Sequence, residues 1–372
     1  MSRGKKLDRH RSLTPVDPAS CHKVGQGHEL PRRYPIRSIW TAMLSASQAK
    51  TSARFAEQLA RRLPPPRKFS IRCEADYYGA SVEISRAIGR PMPFRSSVGW
   101  QHGWVNEPVT DPRQIVGGDR IPRRLLVGTK SHAERLVRQG CQATAVGLPI
   151  IYAEAEPVSR VRNTLLVLPA HVTQQSGLSI DQNEYVGYIA DQSGDFEAIV
   201  ACVSAQCVKR GFWTEAFREH RIPWIEGAGI DDAHALSRIK TLLSSVACVT
   251  SHAIGSHLAY AACSGCRVSL SGPEHRFLRR DLESEPFYQR NPDLIDVTLD
   301  RMSRRQFLEH YPHLGVEPLQ AEVCKAWGDQ QVGQKHRRSP DQIARLLGWG
   351  WSDRVASRTR KIWSQTFRRS AA

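Results

Sequence analysis

Several signatures that identify a function at once are missing here, and each absence narrows the field. The sequence contains no G-x-x-x-x-G-K-[ST] and no G-x-G-x-x-G, which argues against a P-loop ATPase and an ordinary dinucleotide dehydrogenase. No D-x-D triplet occurs, so the carboxylate pair that commonly holds a metal ion against a nucleotide diphosphate is missing; chemistry without metal or cofactor is expected. No apolar run reaches the roughly eighteen residues of a membrane-spanning helix. The opening MSRGKKLDRHRSLTP lacks the apolar stretch of a secretory signal, so a cytoplasmic location is expected. Nine cysteines, an odd number scattered through apolar segments, do not form a disulfide framework and fit a reducing compartment. Cys263 with Cys266, and Cys202 with Cys207, have spacings that invite zinc, but both pairs sit in apolar periodic stretches and read as small buried hydrophobes.

Positive charge is abundant but unevenly placed. Of the formal +17, residues 1 to 37 supply +6 (nine Lys/Arg against three acids) and residues 335 to 372 supply +8 (ten against two), leaving +3 for the body. Basic ends on a near-neutral body suit attraction to an anionic membrane surface, at ~1 kcal/mol per basic residue close to the lipid. Solvated tails that aid solubility are the plainer alternative. A nucleic-acid partner is not expected.

At 372 residues, 40% hydrophobic and 24% charged, the chain exceeds what one core usually supports, and two globular domains are expected. Residues 1 to 35 show no sustained apolar period and read as a disordered basic tail. The segment from Ser47 to Leu63 has apolar residues at helical spacing and is stopped by Pro64, Pro65 and Pro66. A strand-like run, Lys68 to Cys73, precedes the loop Glu74 to Gly79 and a helix through Ile88. Arg124 to Gly128 reads as a strand, Ser131 to Gly140 as a helix capped by those two residues, and Ala143 to Val146 as a strand.

After a polar linker from Glu154 to Asn163, strands are expected at Thr164 to Leu168, Ala198 to Val203, Ile222 to Ile225, Val246 to Thr250 and Arg267 to Leu270. Helices separate them, near Glu184 to Gln192, Phe212 to His220, Ala233 to Ser244 and His257 to Cys263. That alternation predicts an α/β chain with a doubly wound parallel sheet, which binds ligands at the carboxyl ends of its strands. The division is 36–153 for the first domain, 164–310 for the second and 311–372 for a basic helical extension. In the extension, Ser339 and Pro340 open either a packing helix or the start of a DNA-reading helix pair.

The strongest local site candidate is Val249 to His257, where a strand ends, hydroxyl and small residues follow and a helix begins. Free N–H groups at the helix start, the hydroxyls of Ser251 and Ser256 and the approach cleared by Gly255 would suit a phosphate; an ordinary helix cap is the alternative. His171 follows the first strand of that sheet and Gly227 and Gly229 follow its third, so three loops are expected to converge. In the first half, Gly99-Trp100-Gln101-His102-Gly103-Trp104 sets an imidazole among glycines and tryptophans. It is suited to general-base work or phosphate contact with a sugar on the indole faces, or else is a packed aromatic turn. Glu74 and Asp76 are carboxylates that would take a proton from a sugar hydroxyl, or merely cap a turn.

Taken in order, Glu74-x-Asp76-x-Tyr78-Gly79, Gln101-His102-Gly103-Trp104, Gly140 through Ile150, Leu168-Pro169-Ala170-His171 and Ser251-x-x-x-Gly255-Ser256-His257 resemble the capsule and O-antigen biosynthesis proteins related to GT-B glycosyltransferases. The resemblance covers about residues 70 to 275. It implies two Rossmann-like domains facing a central cleft, a nucleotide-sugar donor on the second and a glycan or lipid-linked acceptor approached from the first. Donor contacts would come from His171, Gly227, Gly229, Ser251, Gly255, Ser256 and His257, with His102, Glu74 or Asp76 as base. Tyr260 and Ala261 stand where many such enzymes have a ribose-binding glutamate, with Glu274 as the substitute. The expected activity is glycosyl transfer onto a surface polysaccharide or lipid-linked acceptor, at the inner face of the membrane. A sugar-nucleotide 2-epimerase of the same architecture is the alternative, and a nucleic-acid-binding protein using the basic tails is the third reading.

Overall fold

The computed structural model describes residues 43–91, 96, 98–106, 109, 111–116, 121–171 and 180–350. The expected tail at residues 1 to 35 and residues 351 to 372 of the extension lie outside the described residues.

The protein is α/β with two parallel sheets. Helices α1 (Ala46–Arg62) and α2 (Ala80–Ala87) precede β1 (Val98–Trp100), β2 (Arg124–Val127), α3 (Lys130–Arg138) and β3 (Gln142–Ala145), which give a three-stranded sheet in the order β1-β2-β3. Then come β4 (Val161–Val167), α4 (Gln182–Asp191), β5 (Ala198–Val203), α5 (Ala205–Lys209), α6 (Thr214–Glu219), β6 (Trp224–Glu226), α7 (Ala235–Ser245), β7 (Val246–Ser251), α8 (Ser256–Cys263) and β8 (Arg267–Leu270). Their strands pair in the order β6-β5-β4-β7-β8, all parallel. Among the described residues six short helices follow: α9 (Arg279–Glu283), α10 (Pro286–Arg290), α11 (Leu294–Arg301), α12 (Arg304–His310), α13 (Lys325–Gln331) and α14 (Pro340–Leu346).

The five-stranded sheet is apolar on both faces, which is why its strands read as nearly continuous hydrophobic runs. Leu166 packs with Val200 and Val249 in a core shared with Trp100 and Leu126 of the first sheet, whereas Leu165 and Val167 pack with Ile199 and Ala201 on the other face. Burial of each such side chain contributes about 1.5–3 kcal/mol.

Local chemistry sets the helix limits. Ser45 caps α1 by accepting from Gln48 N. The cap of α3 is Thr129, which accepts from His132 N, and not Ser131; Gln139 is its C-cap and Gly140 follows at φ +82°. Lys68 to Cys73 forms no strand beyond an isolated antiparallel bridge from Lys68 to Asp232. Conversely, Gly99 and Trp100, to which no strand was assigned, belong to β1.

Two segments pack away from their neighbours in sequence, while all the described residues fall within one compact unit. Helix α1 precedes the first sheet but covers the second: Ser52 Oγ accepts from Ile199 N at 3.0 Å and Gln48 Nε2 donates to Phe196 O at 2.6 Å. The C-terminal segment crosses the other way. Leu148 N donates to Val332 O at 2.8 Å, Ser96 Oγ to Leu347 O at 2.9 Å, and α14 buries Ile343 and Ala344 with α2 beside it. Gly333, at φ +71°, makes the crossing feasible, since a Cβ there would stand 1.8 Å from the Gly128 carbonyl oxygen. The helix opened by Ser339 is therefore a packing helix.

The described cysteines are free thiols, and Cys266 Sγ donates to Leu243 O at 3.0 Å within the core. Among the described residues no helix is long and apolar enough to cross a membrane.

Candidate functional site

Strand β4 enters the second sheet first yet lies at its middle. The chain leaves it toward β5 and β6 on one side and reaches β7 and β8 on the other, so the loops after β4 and β7 diverge and leave a crevice at the carboxyl ends. A cavity of about 410 Å³ opens there, within the size range of small-molecule sites. His171 and Pro169 after β4, Ser204 after β5, Gly227 after β6 and Ser256, His257 and Tyr260 of α8 form one wall. Tyr78, His102 to Val105, Ile115 and Val116 form the other. The convergence of three strand-end loops expected from the sequence is thus present. Gly227 packs closely against the end of β5: a Cβ would meet Cys202 Sγ at 3.2 Å and the Val203 carbonyl oxygen at 3.3 Å.

The hydroxyls expected to meet phosphate are occupied within the protein. Ser251 is fully buried, its Oγ accepting from Ala253 N and facing Ala253 O, both at 3.2 Å, so it shapes the turn and does not reach the cavity. Gly255, with extended backbone, precedes α8 without lining the cavity. Ser256 reaches the wall, but its Oγ accepts from Trp104 N at 2.9 Å and contacts Trp104 O at 3.4 Å. It works as a latch between α8 and the loop after β1. Gly103 is required for this contact, because a Cβ there would stand 2.7 Å from Ser256 Oγ.

A second latch holds His102. Tyr260 Oη donates to the His102 carbonyl at 3.1 Å, and the rings of Tyr77 and Tyr78 stand 5.2 and 5.8 Å from the imidazole. The tryptophans on either side are structural. Trp100 is core, its Nε1 donating to Gly147 O at 3.1 Å, while Trp104 donates to Gln331 Oε1 at 3.0 Å and packs edge-on against Phe307 and Trp327. Trp100 is closed to a sugar, which corrects that part of the expectation, while Trp104 reaches the cavity wall.

The expected carboxylates are elsewhere. Asp76 is buried, accepting from Ser81 Oγ at 2.5 Å and Arg72 N at 2.8 Å at the turn into α2. Glu74 is pushed up to about 7 by burial, but it lies against Gly99, where a Cβ would stand 2.5 Å from its Oε2, and off the cavity wall. Glu274 pairs with Arg276 at 2.9 Å, and Gly229 sits beside the Asp231 carboxylate; neither lines the cavity.

No Asp, Glu, Lys or Arg lines the cavity among the described residues; its titratable groups include three imidazoles. Burial pushes His102 down to about 4, and burial with the adjacent His171 does the same to His257, the Ala253 carbonyl opposing. Desolvation by the surrounding protein also lowers His171, although that residue keeps an exposed edge. Near neutral pH these rings are uncharged proton acceptors. His257 Nε2 is buried without a hydrogen-bond partner beside the start of α8, where backbone N–H groups are unpaired by the helix itself. The arrangement can take a proton at one wall and stabilise negative charge at the other.

Sequence reasoning named Tyr260 only as a departure from a ribose-binding glutamate and gave it no contact at the site, because a tyrosine in the apolar run Leu258 to Ala262 reads as core. Tyr78 had a weak signal in its place before Gly79 and stands at φ +55°. Comparison with family models, with curated proteins and with solved structures finds no match to this chain.

Proposed function

We propose that this protein is a glycosyltransferase of GT-B architecture, moving a sugar from a nucleotide-activated donor to a surface-polysaccharide or lipid-linked acceptor. The observation that carries the reading is the cavity at the diverging ends of β4 and β7, faced across its width by His102 on the loop after β1. In this reading the two sheets are the centres of two Rossmann-like halves. The five-stranded half holds the donor, with its diphosphate at the start of α8 near His257 and His171 and its nucleoside toward Ser204 and Gly227. The acceptor enters beside the loop after β1.

His102 is the base of this proposal, in preference to Glu74 and Asp76, because it alone of the three lines the cavity. The acceptor oxygen bonds to the anomeric carbon, its proton passes to the His102 ring, and the carbon–oxygen bond to phosphate breaks. The departing nucleoside diphosphate gains charge where the α8 N–H groups stabilise it. Peripheral attachment to anionic lipid, through the basic segments at 1 to 35 and 351 to 372, belongs to the same proposal.

Incubation with a panel of nucleotide sugars and lipid-linked acceptors tests it. Acceptor-dependent release of nucleoside diphosphate with a lengthened acceptor is the expected product. A nucleotide sugar inverted at C2 without acceptor would identify a 2-epimerase and overturn the transferase reading.

A further inference from the structure

Two histidines beside the candidate site have no role in the reading above. His252, in the turn between β7 and α8, is 1% exposed and His275, after β8, is 4% exposed. Both ring nitrogens of each are buried without a hydrogen-bond partner, as is the hydroxyl of Tyr185 on α4. An imidazole always carries a donor, and leaving a buried polar group unpaired costs about 1–3 kcal/mol. Such groups in a native protein call for a water, an ion or a ligand.

The surroundings select the sign of that ligand. The two rings lie 5.9 Å apart, and His252 also stands 3.8 Å from the Tyr185 ring and 5.3 Å from that of Trp213. His252 feels His275, the Arg304 guanidinium and His257; His275 feels His171. Arg304, at the start of α12, is fixed there by donating to Gly272 O at 2.6 Å and Leu270 O at 2.7 Å. The start of α8 adds partial positive charge. Among the described residues, Asp281 on α9 is the one carboxylate whose charge acts on either ring. A cation would be repelled from this cluster, whereas an oxyanion in the cavity supplies the missing negative charge and an acceptor for the unpaired His257 Nε2. His171 and His257 line the cavity, so they connect the buried pair to it.

We infer that His252 and His275, with His171 and His257 in front of them, form a proton-loading oxyanion site that takes up a phosphoryl group together with protons from solvent. His171 and His257 touch the oxyanion; His252 and His275 are positioning residues that share the protons. This rests on the reading of the α8 start as the phosphate site and specifies how that site gains its charge. An incoming dianion restores to the rings the proton affinity that burial and mutual repulsion remove.

Sulfate is the probe, because it keeps its two negative charges throughout the range from about pH 5 to pH 8 in which imidazoles titrate. Isothermal titration of the full chain with sulfate, in buffers of unlike ionisation heat, measures protons taken up per ion bound. The expected result is net uptake, with Kd tightening by about tenfold per pH unit of acidification for each proton. His252→Gln and His275→Gln, verified as folded by near-ultraviolet circular dichroism, are expected to flatten that dependence. Wild-type protein that fails to bind sulfate, or binds it without proton uptake, would overturn the inference whatever the variants do. Parallel titrations with uridine and guanosine diphosphates separate the two readings. Nucleotide bound without proton uptake removes the histidine site and leaves the donor reading, while proton-linked sulfate binding with no nucleotide bound does the reverse.

Discussion

His102 is the side chain on which the proposed chemistry turns, and its surroundings define what its loss should do. His102→Gln is expected to lower turnover about a hundredfold to ten-thousandfold with nucleotide affinity nearly unchanged, as for a positioned proton acceptor. Loss of melting temperature and of nucleotide binding together would instead mark a packing residue. Because burial holds the ring near 4, the neutral, proton-accepting form is lost only as pH falls through that value. The kcat/KM profile should therefore show an acid limb near pH 4, and His102→Gln should remove it. Tyr260→Phe deletes the hydrogen bond to the His102 carbonyl, worth about 1 kcal/mol, while keeping the ring. Turnover is expected to fall several-fold, and more than donor affinity does; steady-state kinetics with a binding titration checks the split.

Between elements, the contact that matters most is the one from α8 to the loop after β1. Ser256→Ala removes a hydroxyl that holds the Trp104 backbone, so it should release the loop and impair turnover more than nucleotide binding. The same substitution would mainly weaken nucleotide binding if the hydroxyl met phosphate, so kinetics and titration on this variant distinguish the two roles. Strands β4 to β8 were legible in the sequence because burial on both faces makes their central residues apolar, and their order then points to the strand-end loops. Strand β1 was not, since Val98-Gly99-Trp100 is too short to show a period. The packing of α1 on the second sheet and of α14 on the first depends on contacts across more than a hundred residues, which no local pattern carries. At the site, His171, Gly227, Ser256 and His257 were found by position at strand ends, and His102 by its setting among glycines and tryptophans. Ser251 and Asp76 were misplaced because a hydroxyl or carboxylate at a turn serves a ligand and the neighbouring backbone equally well. His252 and His275 carry no spacing signal at all; their unpaired nitrogens exist only in the folded chain.

Across the whole molecule, the buried histidines tie stability to pH. His102, His257 and His275 have folded-state values near 4, below the 6.5 of a free imidazole, and burial with neighbouring positive charge also holds His252 well below 6.5. The unfolded chain binds more protons between those values, so stability is complete above about pH 6.5 and is lost as pH falls toward 4. Melting temperature should decline over that window, and sulfate should restore part of it. Truncation must respect the fold as well: removing residues from 335 onward takes away α14 and should destabilise the protein, whereas ending the chain at residue 350 tests the basic segment alone. The shorter deletion is expected to reduce sedimentation with anionic vesicles and leave neutral vesicles unaffected. The most direct measurement is the melting temperature of the full chain against nucleoside diphosphates and nucleotide sugars, beside Ala228→Trp, which fills the cavity. A ligand at about a hundred times its Kd adds ~2.7 kcal/mol, so at least one should raise the wild-type melting temperature by several degrees and leave the filled variant unmoved. No rise with any of them, or an equal rise in Ala228→Trp, would contradict a nucleotide-sugar site in this cavity.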